Sequence, residues 1–210
     1  PHLLDWLATA KPDVVGLQEL KCEDHQFPTE ALAEVGYQSV SHGQKTYNGV
    51  ALLARQPLED VQRGIPAFED EQRRVIAARI GGIRVVNAYV VNGQAVGGEK
   101  YAYKLRFLDA FRHWLQTELT QHDDLLVMGD FNIAPGENDV WNHRYMSKVV
   151  SHTPVEVETL NRLQETGGFA DVLRDRYPEP QKLASWWSYR AADFRKSNRG
   201  LRLDHIWTSP

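Results

Sequence analysis

The 210-residue sequence contains very little sulfur, with a single cysteine, Cys22, and two methionines. One cysteine cannot form an intramolecular disulfide or a thiolate zinc site, and it favours a reducing compartment. The eight histidines are scattered and form no His-x-x-x-His pair, which further disfavours zinc. The sequence contains no run of eighteen apolar residues, which a transmembrane helix would need. It also has no basic start followed by an apolar stretch, the pattern of a signal peptide. A Gly-x-Ser-x-Gly elbow and a P-loop are also missing.

An excess of positive charge is missing as well. Lys and Arg number 24 against 28 Asp and Glu, so the formal net charge is −4. Nucleic-acid-binding proteins usually carry a basic surface, and the overall sign therefore argues mildly against one. Net charge does not reveal local patches, and it counts carboxylates that a metal ion could neutralise. Apolar residues at 42% and charged residues at 25% are ordinary for one globular domain with a sizeable core.

Hydrophobic periodicity predicts alternating strands and helices. Helices are expected at residues 3–11, 29–35, 101–121 and 155–177, the last interrupted at Gly167-Gly168. Strands are expected at residues 14–17, 49–54, 75–80, 83–91, 125–128, 186–190 and 201–207. Gly81-Gly82 indicates a hairpin, so the sheets are not purely parallel. We therefore predict an α/β or α+β fold with one domain over residues 1–210.

Three acidic residues, Glu19, Asp130 and Asp204, lie within or at the end of apolar runs. Any one of them could be a solvated carboxylate at a strand end. Because strand ends at one edge of a sheet often assemble a site, three together suggest a cluster. Such a cluster would bind a hard cation such as Mg²⁺ or Mn²⁺ through oxygen.

The pair Asp130 and Asn132 follows the strand expected at residues 125–128. If the segment is extended, both side chains point to one face, where they could orient a water molecule and hold a phosphate oxygen. An Asx-rich turn is the alternative. In the last strand, Arg202, Asp204 and Ile206 should share one face, which leaves His205 on the other as a half-buried structural residue.

Basic and aromatic residues are concentrated near the end of the sequence. The cluster comprises Trp186, Trp187, Tyr189, Arg190, Phe194, Arg195, Lys196, Arg199 and Arg202. Aromatic rings can stack on bases or wedge into a base step, and arginines can bind phosphates. Taken alone, the cluster favours a Trp-rich edge of the core with a solvated basic loop.

Seven sequence blocks follow one another in an order that resembles the exonuclease III family. They are Gly16 to Lys21, Tyr47 to Leu53, Gln72 to Arg74, Asn87 to Tyr89, Gly129 to Pro135, Ser185 to Arg190 and Asn198 to Asp204. This family belongs to the endonuclease/exonuclease/phosphatase superfamily, which includes deoxyribonuclease I. The resemblance covers essentially the whole chain and implies a four-layer sandwich of two mixed β-sheets, packed face to face, with helices outside.

The resemblance also implies an activity. Family members are Mg²⁺-dependent phosphodiesterases, in which Mn²⁺ can substitute. They cut duplex DNA 5′ of abasic sites, remove 3′-blocking groups and often degrade DNA from the 3′ end. A monomer in a bacterial cytoplasm, acting in DNA repair, is the expectation that follows.

Roles are implied for the positions that match the family motifs. Glu19 matches the metal-binding glutamate, Asp130 the aspartate that activates or holds the attacking water, and Asn132 the asparagine that orients the phosphate. Tyr89 matches the tyrosine near the scissile phosphate, and Asp204 the aspartate near the leaving group. The DNA-binding positions implied are Trp186, Trp187 and Leu201 around the abasic-site pocket and wedge, and Arg73 and Lys104 on the DNA backbone.

The sequence departs from the family at both ends and after Tyr89. A first strand with a Phe-Asn pair and a final Ser-Asp-His motif have no counterpart, so we expect a chain trimmed at both ends. If the molecule ended here, little catalysis and poor solubility would be expected. Val90 to Gly93 replaces the usual proline-containing turn. Three alternatives stay open: an exonuclease/3′-phosphatase that cleaves abasic sites weakly, a phosphatase of the same superfamily, and an inactive DNA-binding module.

Overall fold

The computed structural model describes residues 2–188 and 193–210. The α-helices are α1 His2–Ala10, α2 Thr29–Glu34, α3 Glu99–Gln121, α4 His143–Met146, α5 Pro154–Gly167, α6 Val172–Arg176 and α7 Phe194–Ser197. The strands are β1 Val14–Gln18, β2 Gln38–His42, β3 Val50–Ala54, β4 Leu58–Arg63, β5 Val75–Ile80, β6 Ile83–Tyr89, β7 Leu125–Asp130, β8 Ala170–Asp171 and β9 Asp204–Thr208. The chain divides into two compact units, Pro1–Tyr89 with His122–Gly129, and Val90–Gln121 with Asp130–Pro210.

The first unit contains two sets of strands. In one, β3 lies between β1 and β2 and pairs antiparallel with both, with Gly16 opposite Leu52. In the other, the order is β4, β5, β6, β7, and β5 and β6 form an antiparallel hairpin. The hairpin turns at Gly81 and Gly82, both with positive φ, which glycine adopts without steric cost. The Arg84 amide bonds the Asp124 carbonyl, and further along both strands Gly129 lies against Ala88. The strands β6 and β7 therefore run parallel, and this sheet is mixed.

The side chains of β3 point alternately to two faces, and each face packs against a different set of apolar residues. Val50, Leu52 and Ala54 face one way and join a buried cluster with side chains of β5 such as Ile76 and Ala78. The alternate residues of β3 face the other way and pack with Leu7 of α1 and Leu32 of α2. Successive side chains of a strand point to opposite faces, so a fully buried strand needs apolar cover on both.

The second unit is built around two helices and a short strand pair. On α3, buried apolar side chains recur at helical spacing, and the helix packs against α5. The helix α5 begins with a capping box between Thr153 and Glu156 and is capped at its other end by Gly168, whose φ is +62°. Both features satisfy main-chain groups that a helix end would otherwise leave unpaired. Strand β8 pairs antiparallel with β9, with Asp171 opposite Trp207.

Several expected boundaries are wrong. The helix expected over residues 155–177 ends at Gly167, and β8 and α6 follow it. The strand expected over residues 186–190 is reduced to a single bridge between Trp186 and Leu201, and Tyr189 and Arg190 lie outside the described residues. The last strand begins at Asp204 rather than Leu201. No helix within the described ranges has the length and hydrophobicity needed to span a bilayer.

Candidate active site

Glu19 stands immediately after β1, in a turn whose main chain is fixed. Its φ is +59°, and the next two amides, Leu20 and Lys21, donate to the carbonyls of Gly49 and Asn48. The carboxylate is 55% exposed, and Lys21 Nζ lies 3.4 Å from it. The turn therefore holds a solvent-facing carboxylate on a well-defined backbone.

The end of β1, next to the Glu19 turn, is joined to β6 by a hydrogen-bonded amide pair that the sequence reasoning did not single out. Gln18 Nε2 donates to Asn87 Oδ1 over 2.6 Å. Asn87 is fully buried, and its amide nitrogen donates to the carbonyls of Leu17 and Ala51, each over 2.9 Å. A polar residue within the otherwise apolar run of β6 is the sequence signal that could have revealed this pair, because buried amides are kept only where they are hydrogen-bonded.

Tyr89, at the end of β6, packs under the guanidinium of Arg74, which lies 4.8 Å from the ring centroid. The same arginine donates to the Tyr89 carbonyl over 3.0 Å, and the Tyr89 amide donates to the Arg74 carbonyl over 2.7 Å. Gln72 accepts from Arg74 Nε and completes the set. Backbone and ring are thus both held in place, and the tyrosine remains half-buried.

Arg73 is 45% exposed and is partly engaged within the protein. It donates to the Gly43 carbonyl over 2.6 Å and lies 3.8 Å from Asp24. Although burial alone would raise the pKa of Asp24, hydrogen bonds from Ser41 and Gly43 and the nearby arginine charges hold that pKa below its usual value. Arg73 is therefore a partly solvated cation, which is compatible with the expected contact to a DNA backbone.

In the second unit, Asp130 and Asn132 do come together, but not in the expected extended conformation. The strand β7 ends at Asp130, and Asn132 has a φ of +51°. The Asn132 amide donates to Asp130 Oδ1 over 2.8 Å, and Asn132 Nδ2 donates to Oδ2 over 3.1 Å. The pair therefore forms an Asx-type turn in which one side chain fixes the other. A left-handed conformation at a non-glycine residue costs about 1 kcal/mol or more, which these hydrogen bonds offset.

The amide of Asn132 is fully engaged within the protein. Its nitrogen donates to Asp130 and to the Val90 carbonyl, and its oxygen accepts from Asn92 Nδ2 over 3.1 Å. Its residue surface is only 5% exposed. A phosphate oxygen would have to replace one of these partners, and the bond to Asp130, at 3.1 Å, is the longer of the two that the nitrogen donates.

The expected contact between Lys104 and a DNA backbone is wrong. Lys104 has no exposed surface. Its ammonium donates to the carbonyls of Asn92 and Asn132 over 3.1 and 2.9 Å and to Glu156 Oε1 over 2.5 Å. Burial lowers the pKa of Lys104, and the adjacent Glu156 charge offsets part of that effect. An ammonium has three donors, so this one has none left for a phosphate.

Asp204 opens β9 and faces solvent, and its amide donates to Ser185 Oγ over 3.0 Å. His205 faces inward and is 2% exposed, with Nε2 2.8 Å from the Ile133 carbonyl. Asp204 and Ile206 are exposed, whereas His205 and Trp207 are buried. The expected assignment of His205 as a structural residue agrees with this placement.

Arg202 does not belong to the solvated face on which the sequence placed it. It precedes β9, is 1% exposed, and binds Asp139 through two nitrogens and Asp171 through a third. Arg174 also binds Asp139. Burial favours protonation of both carboxylates, but other interactions outweigh it and hold both pKa values below the usual range. For Asp139 these are chiefly the hydrogen bonds and charge of Arg202; for Asp171 they are the hydrogen bond from His205, then the Arg174 amide and Arg202. Arg202 is therefore a structural cation and cannot bind a phosphate.

Two tryptophans and a leucine near the end of the chain occupy the positions expected to shape the abasic-site pocket. Trp186 and Trp187 are both partly exposed, and Trp187 Nε1 donates to Asn198 Oδ1 over 3.1 Å. Gly200 packs closely against Trp187, because a Cβ at position 200 would lie only 2.8 Å from the indole ring. Leu201 is 8% exposed and packs with Val140 and other apolar side chains. In this conformation Leu201 forms part of a wall rather than a projecting wedge.

Trp187 lines a cavity of about 320 Å³, together with Val140, Trp141, Leu183 and neighbouring residues. The guanidinium of Arg199 lies 4.7 Å from the centroid of the Trp141 ring. In the described part of the basic cluster, Phe194, Arg195, Lys196 and Arg199 are all exposed. The expected solvated basic loop agrees with these four positions.

The chemistry of the donors present suits a hard cation. Glu19 presents an exposed carboxylate whose neighbour Lys21 is beyond a short hydrogen-bond distance. Mg²⁺ is commonly bound through only one or two carboxylates and keeps several waters, so one glutamate fits it. Residues 2–188 and 193–210 contain no group of three or more His, Cys, Asp or Glu residues that could hold a metal. The common cation site expected for Glu19, Asp130 and Asp204 stays a prediction. Asp130 directs both carboxylate oxygens to Asn132.

Comparison with known proteins identifies relatives along the whole chain. The Endonuclease/Exonuclease/phosphatase family model matches residues 2–210. Exodeoxyribonuclease III of Haemophilus influenzae is 36% identical, and the match covers 100% of this chain and 82% of that protein.

Solved structures of related nucleases have the same fold. A 3′ phosphatase, NExo from Neisseria bound to a product DNA hairpin, has a TM-score of 0.96 at 40% identity and covers 100% of this chain and 81% of that one. An AP endonuclease from Archaeoglobus fulgidus has a TM-score of 0.94 at 32% identity, covering 99% and 80%. The expected fold class, α/β with two β-sheets and helices, is confirmed, although the three-stranded sheet is antiparallel rather than mixed. The expected enzyme class, a hydrolase of the nuclease type, is also confirmed. The chain belongs to the endonuclease/exonuclease/phosphatase family and, within it, to the exonuclease III type.

Proposed function

We propose that the protein is a Mg²⁺-dependent phosphodiesterase of DNA repair, which cleaves duplex DNA 5′ of abasic sites and removes nucleotides or blocking groups from 3′ ends. The observation that carries the proposal is the Asp130–Asn132 turn, which fixes a carboxylate at the end of β7. Support for the substrate comes from the relatives, which include an exodeoxyribonuclease, a DNA-bound 3′ phosphatase and an AP endonuclease.

Asp130 is the proposed base. Both of its oxygens accept hydrogen bonds from Asn132, which fixes the orientation of the carboxylate, and the attacking water is proposed to bind to the same group. Asp130 takes a proton from that water as the oxygen attacks phosphorus. The bond between phosphorus and the 3′ oxygen breaks, a solvent water protonates that oxygen to give a 3′-hydroxyl, and Asp130 returns its proton to solvent.

Negative charge develops on the phosphoryl oxygens and on the leaving oxygen during this step. The Tyr89 hydroxyl is proposed to hydrogen-bond the scissile phosphate, and Asn132 to do so in exchange for its bond to Asp130. Hydrogen bonds aimed at developing charge strengthen in the transition state. Asp204, exposed at the start of β9, is proposed to support the leaving-group side. Glu19 would hold Mg²⁺, which neutralises charge on the phosphate when bound; Mn²⁺ has the same ligand preference.

DNA contacts are proposed for the exposed cationic and aromatic side chains. Arg73, with nearly half its side chain solvated, is the candidate for a phosphate contact. Trp186, Trp187 and Leu201 are proposed to shape the abasic-site pocket. We further propose that the protein acts as a monomer in a bacterial cytoplasm, in line with the bacterial relative, and that residues 1–210 belong to one domain.

A second candidate is an exonuclease and 3′-phosphatase that cleaves abasic sites weakly. The similarity to a 3′ phosphatase and to a 3′-5′ exonuclease from Neisseria meningitidis, at 40% and 41% identity, favours it. The two candidates share one chemical step and differ in whether an internal phosphate can reach the site.

The experiment uses duplex DNA with one internal abasic-site analogue and, separately, duplex DNA with a 3′-phosphate. The protein is assayed with Mg²⁺, with Mn²⁺ and with EDTA, alongside Asp130→Ala and a control, Asp109→Ala, which removes an exposed carboxylate from α3. Metal-dependent cleavage 5′ of the analogue, lost in Asp130→Ala and kept in the control, is expected. Activity only at 3′ ends would select the second candidate. Absence of DNA turnover would refute both and leave a phosphatase or an inactive module.

A further inference from the structure

The ammonium of Lys104 lies where three separate segments of the second unit meet. From α3 it donates to the main-chain carbonyls of Asn92 and Asn132 and to the carboxylate of Glu156. Two of these acceptors are backbone oxygens of the segments that follow β6 and β7. One cation thus fixes the positions of two active-site segments relative to a helix.

The partner carboxylate is itself held rigidly. Glu156 is fully buried and accepts from the amides of Ser151 and Thr153 and from the Thr153 hydroxyl, over 2.7 to 3.1 Å. Thr153 is in turn bonded to the hydroxyl of Tyr101 on α3, over 2.6 Å. The ion pair is therefore anchored at the start of α5, and Lys104 has little freedom to shift.

Lys104 reaches the proposed base through one intermediate residue. Its bond to the Asn132 carbonyl holds a residue whose φ is +51°, and the Asn132 amide and side chain fix both oxygens of Asp130. Asn92, held by the same ammonium, donates to the Asn132 side-chain oxygen. Lys104 thus constrains the backbone of Asn132 directly and its side chain through Asn92.

We propose that Lys104, with Glu156 as its anchor, is a positioning residue that sets the orientation of Asn132 and thereby of Asp130. The ion pair acts on the rate of the chemical step and takes no part in DNA binding. This proposal rests on the proposed function, in which Asp130 is the base. Precise placement matters because a shift of about 1 Å in a reacting group can cost on the order of a hundredfold in rate.

The test is the double variant Lys104→Met/Glu156→Gln, which removes both charges together and leaves no unpaired buried ion. With DNA carrying a 3′-phosphate or an abasic-site analogue, kcat is expected to fall by about 10- to 100-fold while KM stays within about twofold. The salt dependence of DNA binding is also measured. A lysine that contacts a phosphate contributes about one unit to the slope of log K against log[salt], and the slope is expected to be unchanged here.

A readout independent of turnover is hydrogen exchange at the Asn132 side-chain amide, followed by NMR. Both of its N–H groups are donated within the protein, so exchange should be slow in the wild type. Faster exchange is expected in the double variant. If the wild type cleaves no DNA, the proposed function fails, while the amide exchange still tests the positioning role.

The matched control is Glu158→Gln/Arg162→Met, which removes an exposed ion pair on the same helix α5 and should change neither kcat nor amide exchange.

If the double variant is unfolded at the assay temperature, Glu156→Gln replaces it, because glutamine keeps an acceptor for Ser151 and Thr153. The same pattern with a smaller loss of kcat is then expected. An unchanged kcat in a folded variant, a lower salt slope, or failure of both variants to fold would each overturn the proposal.

Discussion

Replacing Arg202 with methionine should destabilise the protein strongly while leaving its DNA contacts untouched. The side chain is 2% exposed and makes three charged hydrogen bonds to two buried carboxylates, Asp139 and Asp171. Methionine fills much of the same volume without charge. The change therefore isolates the loss of the cation from the loss of packing.

Removing one partner of a buried ion pair typically costs about 3 to 5 kcal/mol, because the other charge stays buried and uncompensated. Arg174 remains beside Asp139, so we expect a value near the lower end, about 3 kcal/mol. For a chain of this size each kcal/mol lowers Tm by about 2 to 4 °C, which gives a decrease of roughly 6 to 12 °C. Urea unfolding followed by tryptophan fluorescence measures the free energy, and a thermal scan measures Tm.

The loss of unfolding free energy in Arg202→Met should become smaller as the pH falls. In the wild type the pKa values of Asp139 and Asp171 are held low, so their stabilising contribution is present above the unfolded value of about 3.9 and is lost as pH falls below it. Without the hydrogen bonds and charge of Arg202, burial should raise those pKa values relative to the wild type, although His205, Arg174 and the Gly136 amide still oppose it. The variant therefore regains stability as the carboxylates become protonated. The difference between the two proteins should therefore shrink from about pH 7 to about pH 4.

The control is Arg55→Met, at an exposed arginine 4.0 Å from Asp13, which should change stability by no more than about 0.5 kcal/mol. A cost for Arg202→Met below about 1 kcal/mol at neutral pH would contradict the ion-pair argument. A cost that is constant between pH 7 and pH 4 would contradict the rise in carboxylate pKa expected in the variant.

Three further predictions concern separate features. Gly129→Ala should lower stability by several kcal/mol in urea unfolding, since a Cβ would lie 1.9 Å from the Ala88 oxygen at a φ of +141°; wild-type stability would contradict the close approach. Thr153→Ala should cost about 1 kcal/mol through loss of the α5 cap, and Thr153→Ser should restore most of it. Arg73→Gln should lower the salt slope of DNA binding by about one; an unchanged slope would remove Arg73 from the DNA interface.

Strands and helices with an unbroken pattern could be predicted from the sequence. The hairpin around Gly81-Gly82 and the long helix α3 are confirmed within two residues at each end. The strands β2 and β4 were not predicted, because Gln38–His42 and Leu58–Arg63 are short and rich in polar residues. Their place in a sheet depends on pairing with distant strands, which local periodicity does not encode.

The sequence by itself determined the family, the fold class and the residue types of the candidate site, because these follow from motifs and from local hydrophobic patterns. The identity of a basic residue does not show whether its side chain is exposed or buried. Lys104 and Arg202 look like solvated basic residues in the sequence, and both are buried against carboxylates from distant positions, Glu156 for one and Asp139 with Asp171 for the other. Tertiary packing decided this, since a charged side chain can be buried only where long-range contacts supply its partners.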